Sequence, residues 1–203
     1  MMPPKEHEEV KVNYDDLAAT KKISNGMIDF LPLGSHRPII VVCIGTDRST
    51  GDSLGPLIGT FLQETGLECF HLYGTLEDPV HAVNLNEKLD VIYKNHTDPY
   101  VIGIDACLGK FKNIGVVKID SGPLKPGAGV KKELPEVGHM HITGVVNVSG
   151  YMEFFVLQNT RLNLVMKMAK QIAAGISEAD KMYARKHMFR QLEWDINQER
   201  NVE

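Results

Sequence analysis

The sequence predicts an α/β protein, a three-layer sandwich with a mixed, mostly parallel central sheet and helices on both faces. Apolar strand-like runs alternate with amphipathic helical runs over residues 38–105, and this order is typical of parallel strands joined by helical crossovers. The first of these strands is apolar without alternation, as expected for a strand buried on both faces. A short alternating strand and a Pro/Gly-rich loop follow, which indicates an antiparallel edge.

Five elements are predicted in the first half of this sheet. Strands are expected over 38–44, 68–73 and 100–105, and helices over 53–65 and 80–95. The first helix has apolar residues at i, i+3 and i+4 spacing, and Gly66 is expected to end it. Asp78 is the expected cap of the second helix, with Pro79 at its first position and Val83 in the core.

The second half is predicted to close the sheet and cover it with helices. Strands are expected over 114–119 and 129–132, and helices over 143–157 and 161–174. Gly175 is the expected end of the last of these helices.

Three segments are predicted along the chain. Residues 1–37 form a lead-in with a short helix at 14–23, residues 38–175 form the α/β domain, and residues 176–203 form a charged C-terminal helix. Apolar residues in the last segment predict a homodimer contact through that helix: Met182, Tyr183, Met188, Phe189, Leu192 and Trp194.

Composition excludes several classes of protein. The 203 residues are 43% hydrophobic, enough for one well-cored domain, and the net charge of −4 gives no basic face for nucleic acid. Three cysteines without a CxxC motif argue against a disulfide scaffold or a structural zinc site. With neither a signal peptide nor an apolar run of about 20 residues, we expect a cytoplasmic protein that binds no membrane.

Two carboxylates are expected at the functional edge of the sheet. Asp52 lies in the glycine-rich loop after the first strand, and Asp105 follows the apolar run 100–104. Ligands of open α/β sheets bind beyond the carboxyl ends of the strands, so we expect the two to face each other across a crevice. Ordinary alternatives remain open: Asp52 or Ser53 as a helix cap, and Asp105 as a hydrogen-bonding residue of the following turn.

The loop itself does not predict a nucleotide site. Residues 45–56 have neither the GxGxxG fingerprint nor the lysine of a P-loop, and Asp47 and Asp52 would repel a phosphate.

Close carboxylates support two kinds of chemistry. They share a proton and act as an acid and a base, or they bind a cation, here a divalent metal with His141 as the third ligand. His141 is expected on a glycine-bounded loop that returns to the crevice, and surface exposure is its alternative. His71 and His81 flank the second strand–helix turn; an approach to the crevice is the alternative there, and a structural role is favoured.

Four segments resemble known families. Residues 43–56 (CIGTDRSTGDSLGP) and 101–106 (VIGIDA), with 147–153 and 157–162, resemble the germination protease group and, more closely, the YyaC-type sporulation proteins related to it. The resemblance covers residues 38–175. It implies the phosphorylase/hydrolase-like fold of hydrogenase-maturation endopeptidases, and catalytic aspartates at Asp52 and Asp105.

The leading hypothesis is therefore a sporulation-associated peptidase that acts on a protein or peptide substrate. Asp52 and Asp105 would activate a water, with or without a metal held together with His141. The alternative is a non-catalytic regulatory protein that retains the fold and binds a partner. A small-molecule hydrolase is a third hypothesis, which a deep apolar pocket would favour.

Overall fold

The computed structural model describes residues 8–127 and 134–200, with the side chains of 187–200 excepted. The strands in this part of the chain are β1 Val10–Asn13, β2 Ile39–Cys43, β3 His71–Tyr73, β4 Tyr100–Gly109, β5 Val116–Ser121 and β6 Met140–Val148. The α-helices are α1 Ala19–Phe30, α2 Leu54–Thr65, α3 Leu85–Asn95, α4 Glu153–Gln158 and α5 Leu162–Arg200. A 3-10 turn, Phe111–Asn113, follows β4.

The strands form one sheet in the order β1-β5-β6-β4-β2-β3. Strands β6, β4, β2 and β3 run parallel to one another. Strand β5 runs antiparallel to β6, and β1 runs antiparallel to β5. Helices α1, α2 and α5 cover one face and α3 covers the other. The predicted α/β class with a mixed, mostly parallel sheet and helices on both faces is confirmed.

Strand β2 shows why the fold was predictable. Val41 and Cys43 pack toward α1, α2 and α5, while Ile40 and Val42 pack toward α3. All five residues of the strand are buried. A side chain on either face therefore has to be apolar, which explains the uninterrupted run.

The predicted helix over 143–157 is wrong in its first half. Residues 140–148 are strand β6, between β4 and β5. The segment is rich in Ile, Thr and Val, which favour strands. Gly144 lies where side chains of the covering helices contact the sheet. A Cβ there would be 2.5 Å from Leu54 Cδ2.

The predicted helix end at Gly175 is also wrong, because α5 continues to Arg200. A Cβ at Gly175 would be 2.5 Å from Cγ2 of Ile23, so this glycine lets α1 and α5 approach closely. Gly66, by contrast, ends α2 with a positive φ of 78°, as predicted.

The N-terminal segment contributes to the sheet and the core. β1 pairs with β5, and Val12, Ile23 and Met27 are buried. The predicted helix at 14–23 is displaced, since α1 spans Ala19–Phe30. The division into 1–37, 38–175 and 176–203 stays a prediction, although its second boundary falls inside α5.

Helix α5 is fastened to the turn before β3 by Asp180, which is 1% exposed. Its carboxylate accepts hydrogen bonds from the backbone N–H groups of Glu68, Cys69 (3.0 Å) and Phe70 (2.9 Å). The Cys69 thiol donates a fourth, at 3.0 Å. This carboxylate therefore has a structural role, away from the carboxyl ends of the parallel strands.

Two predictions fall wholly or partly outside the described residues: the strand over 129–132, and the side chains of Met188, Phe189, Leu192 and Trp194 in the homodimer prediction. The other two residues of that prediction lie in the protein's own core, since Tyr183 is 5% exposed and Met182 packs against the core cluster. No helix in the described part of the chain is long and apolar enough to cross a membrane.

Candidate active site

Asp52 and Asp105 line the same cleft, which has a volume of about 390 Å³. Asp52 belongs to the loop between β2 and α2. Asp105 lies within β4, because that strand continues to Gly109 instead of ending at residue 105. Its neighbours Ile104 and Ala106 face the larger core, so Asp105 faces the side of the sheet that α3 covers.

The loop that carries Asp52 is held tightly against the end of β2. Gly45 has a positive φ of 148°, and a Cβ there would be 2.0 Å from the carbonyl oxygen of Asp52. The Thr46 N–H donates to that same oxygen at 3.1 Å. At Gly55 a Cβ would be 2.0 Å from the Ile44 carbonyl oxygen. The glycines therefore serve close backbone packing.

Asp52 does not cap the helix that follows it. Helix α2 begins at Leu54 after the N-cap residue Ser53, which makes no side-chain capping bond. The Ser53 hydroxyl donates instead to the Thr50 carbonyl at 2.7 Å. The capping interpretation is wrong for Asp52, which lines the cleft, whereas Ser53 occupies the predicted N-cap position without a side-chain capping bond.

The surroundings of Asp105 favour the protonated form of its carboxyl. Burial raises the pKa of its carboxyl well above the ordinary value, the Ala106 N–H bond to Oδ1 (2.7 Å) lowers it in part, and the charge of Asp52 raises it further. A neutral carboxylic acid is the expected form when a carboxyl is both desolvated and close to a like charge.

Asp52 occupies a milder environment. Burial raises the pKa of this carboxyl as well, opposed by the nearby Ser49 hydroxyl. Ser49 is only 4% exposed, and its Oγ has no hydrogen-bond partner of normal geometry among the described residues. Because burial raises the pKa of Asp52 less than that of Asp105, Asp52 is the member of the pair that loses its proton first as pH rises.

Neither aspartate forms an ion pair with the described Lys, Arg or His side chains; the pairs found there lie elsewhere, for example Lys88 with Asp78. Both carboxyls are half-buried and reach the cleft. Sealed, salt-bridged carboxylates would have favoured an architectural role, and the observed pair is of the other kind.

His141 lies in strand β6, and the expectation of a loop is wrong. It pairs with Gly103 in β4 and with Asp120 in β5. Its Nδ1 lies 3.1 Å from the Gly122 carbonyl oxygen, and it is not among the residues that line the cleft. No group of three or more His, Cys, Asp or Glu side chains in the described residues is arranged to hold a metal ion. Within the described residues, His141 is therefore not placed with Asp52 and Asp105 as a metal ligand.

On the α3 side of the cleft, sequence reasoning offered His81 only as the less favoured alternative and missed the loop that carries it. Residues 80–84 form a loop, with α3 beginning only at Leu85. Asn84 holds this loop by accepting from the His81 N–H (2.8 Å) and donating to the Pro79 carbonyl (2.9 Å). His81 and Val83 consequently line the cleft, and Val83 is 90% exposed instead of buried. Asn84, a favoured residue at turns and helix starts, was the available signal.

A further part of the wall is formed by α4, whose Phe154 and Gln158 line the cleft. Asn147 of β6 fixes this helix by donating to the Val156 carbonyl and to Thr160 Oγ1, both at 3.2 Å. The polar residue within the apolar run 145–148 is thus a backbone anchor.

Comparison with known proteins identifies the family. Residues 11–175 match the family described as a protein of unknown function, DUF1256. The chain belongs to this family. The relative "Uncharacterized protein YyaC" of Bacillus subtilis (strain 168) is 59% identical over 170 residues, which cover 84% of this chain and 83% of that protein. The predicted similarity to YyaC is confirmed.

One solved structure is similar to this DUF1256 chain. It is the crystal structure of a NiFe hydrogenase maturation protease, HycI, from Thermococcus kodakarensis KOD1. The similarity covers 76% of this chain and 98% of that one, with 16% identity and a TM-score of 0.48. At that level it supports no inference about activity, which has to come from the cleft itself.

Proposed function

We propose that this protein is a hydrolase, most specifically a peptidase, in which Asp52 and Asp105 activate a water molecule. The observation that carries the proposal is that both carboxyls line one cleft and that their surroundings favour different protonation states. An acid and a base side by side are what hydrolysis of an amide requires.

The proposed reaction uses both members of the pair. The Asp52 carboxylate takes a proton from water as the water oxygen bonds to the carbonyl carbon, and the Asp105 carboxyl gives its proton to the carbonyl oxygen. When the C–N bond breaks, Asp105 recovers a proton from one hydroxyl of the tetrahedral intermediate. Asp52 passes its proton to the leaving nitrogen. Both carboxyls return to their starting forms.

The test uses a proteome-derived peptide library and labelling of newly formed amino termini. We expect cleavage by the wild-type protein and a loss of about 10²–10⁴-fold in rate for Asp52→Asn and for Asp105→Asn. Asp90→Asn, at an exposed position of α3, is the matched control and should cleave normally. Full turnover by both cleft variants would overturn the proposal. Absence of new termini with every variant would favour the non-catalytic alternative.

The same proposal predicts a bell-shaped dependence of kcat on pH. Turnover should fall at low pH as Asp52 gains a proton, and at higher pH as Asp105 loses the proton it donates. Since burial raises the pKa of both carboxyls, both limbs should lie above the ordinary range of aspartate. Turnover should also survive dialysis against EDTA, because the mechanism uses no cation. Loss of activity that Zn²⁺ or Mn²⁺ restores would contradict the metal-free reaction.

The biological setting is proposed from the resemblance to YyaC-type sporulation proteins. On that basis the peptidase acts in the cytoplasm of the sporulating cell or forespore, and a relation to the germination protease accounts for its paired aspartates. A spore-forming strain that lacks the protein should show a spore yield or germination defect. The wild-type protein should rescue it and Asp105→Asn should not. Equal rescue by both would separate the sporulation role from hydrolysis.

A further inference from the structure

The lining of the cleft includes exposed apolar side chains from two different parts of the chain. Val83, on the loop before α3, is 90% exposed, and Phe154, on α4, is 51% exposed. Both line the cleft that contains Asp52 and Asp105. Large apolar side chains exposed together in this way mark binding surfaces in soluble proteins.

The apolar surface on the α4 side extends beyond the cleft. Tyr151 is 86% exposed, Met152 50% and Phe155 53%, and none of the three is among the residues that line the cleft. Phe155 packs edge-to-face against Phe154, with ring centroids 5.8 Å apart. An occupant that covered this surface would be longer than the cleft itself, which favours a chain molecule over a small ligand.

A polar anchor lies beside the carboxyls. Ser49 lines the cleft, and its buried Oγ lies near the Asp52 carboxyl but has no hydrogen bond of normal geometry among the described residues. A buried hydroxyl without a well-formed hydrogen bond is costly, so the occupant is expected to bring a polar group to it. A polypeptide meets both requirements, because its backbone amides alternate with side chains, whereas a hydrocarbon chain offers no such group.

We propose that the cleft binds an extended polypeptide segment and places a bulky apolar side chain between Val83 and Phe154, next to the peptide bond that faces Asp52 and Asp105. This inference rests on the proposed peptidase function and names its substrate class. Asp47, Asp52 and the cation of Arg48 all line the cleft, so selection at this position is expected to depend on apolar contact and not on charge.

Binding tests the inference without requiring turnover. The probes are fluorescent capped peptides, Gly-Gly-Ser-Gly-X-Gly-Ser-Gly-Gly, in which X is Leu, Phe, Ser or Asp, and the protein is the full-length Asp105→Asn variant. We expect the Leu and Phe peptides to bind about tenfold or more tightly than the Ser and Asp peptides. Val83→Ser and Phe154→Ser, each added to that variant, should remove the difference. Phe111→Ser, at a residue 81% exposed in the turn after β4 and outside the cleft lining, should preserve it.

Each other outcome has a defined meaning. Equal affinities for the four peptides, or a preference that survives both cleft substitutions, would overturn the inference. A concentration-dependent dimer in light scattering that Phe154→Ser dissociates would assign the surface to a second copy of the chain and overturn it too. If the library is cleaved at sites without apolar residues beside the scissile bond, the inference is overturned but the proposed peptidase function stands. If the protein binds apolar peptides selectively but cleaves none, the proposed peptidase function is overturned and the proposed peptide-binding site stands.

Discussion

Replacing Asp105 with asparagine should abolish hydrolysis and, at neutral pH, make the protein more stable. Burial and the charge of Asp52 raise the pKa of Asp105 in the folded state. Between the ordinary pKa of aspartate and this raised value the folded protein keeps a proton that the unfolded chain has lost, so the free energy of unfolding falls as pH rises. Asparagine cannot ionise, and its side-chain oxygen can still accept the Ala106 N–H bond made by Asp105 Oδ1.

The size of the effect follows from proton linkage. One proton held only by the folded state changes the free energy of unfolding by about 1.4 kcal/mol per pH unit. The stability difference between Asp105→Asn and wild type should therefore be small near pH 4, grow with up to that slope, and level off above the pKa of Asp105. For a chain of this length each kcal/mol corresponds to about 2–4 °C in Tm.

Urea unfolding of both proteins at half-unit steps from pH 4 to pH 8 measures this difference directly. Asp52→Asn should show a smaller total difference, because burial raises the pKa of Asp52 less than that of Asp105. A difference between Asp105→Asn and wild type that does not change with pH would refute the reasoning. That result would mean that the Asp105 carboxyl keeps its ordinary pKa in the folded protein.

Three substitutions elsewhere have separate expected outcomes. Asp180→Ala leaves three backbone N–H groups without their acceptor and should lower the free energy of unfolding by about 3 kcal/mol or more in urea. Gly45→Ala forces a Cβ to within 2.0 Å of the Asp52 carbonyl oxygen, so both Tm and turnover should fall; an unchanged Tm would contradict the close packing. Asn147→Ala removes two hydrogen bonds that hold α4 and should cost about 1–2 kcal/mol in urea unfolding while raising KM in the peptide assay.

The two central strands of the sheet were predictable because an uninterrupted apolar run between turn residues indicates a strand that is buried on both faces. Strand β2 and the apolar run of β4 are buried on both faces, and the crossovers between parallel strands bring their carboxyl ends to one edge. The shared cleft of Asp52 and Asp105 follows from that topology. Their protonation preferences depend on local burial and on Ser49 and Ala106, which no spacing in the sequence reveals.

The errors have local physical causes. The run 145–148 is too short for periodicity to separate a strand from a buried helix, and only its pairing with β4 and β5 decides for the strand. Gly175 resembles a helix end, but it is a contact point for Ile23. Val83 fits the apolar stripe of a longer helix, yet Asn84 keeps the chain in a loop until α3 begins.

The contact between Gly51 and Leu157 bears on how variants of this cleft will behave in kinetics. The Gly51 N–H donates to the Leu157 carbonyl at 2.9 Å, and a Cβ at Gly51 would lie 2.7 Å from the Leu157 side chain. Helix α4, which would contact the substrate, is thus packed directly against the loop that carries the proposed base Asp52. The two are expected to move together. Substitutions that tilt α4 should consequently change kcat and KM together, and affinity measured alone would understate their effect.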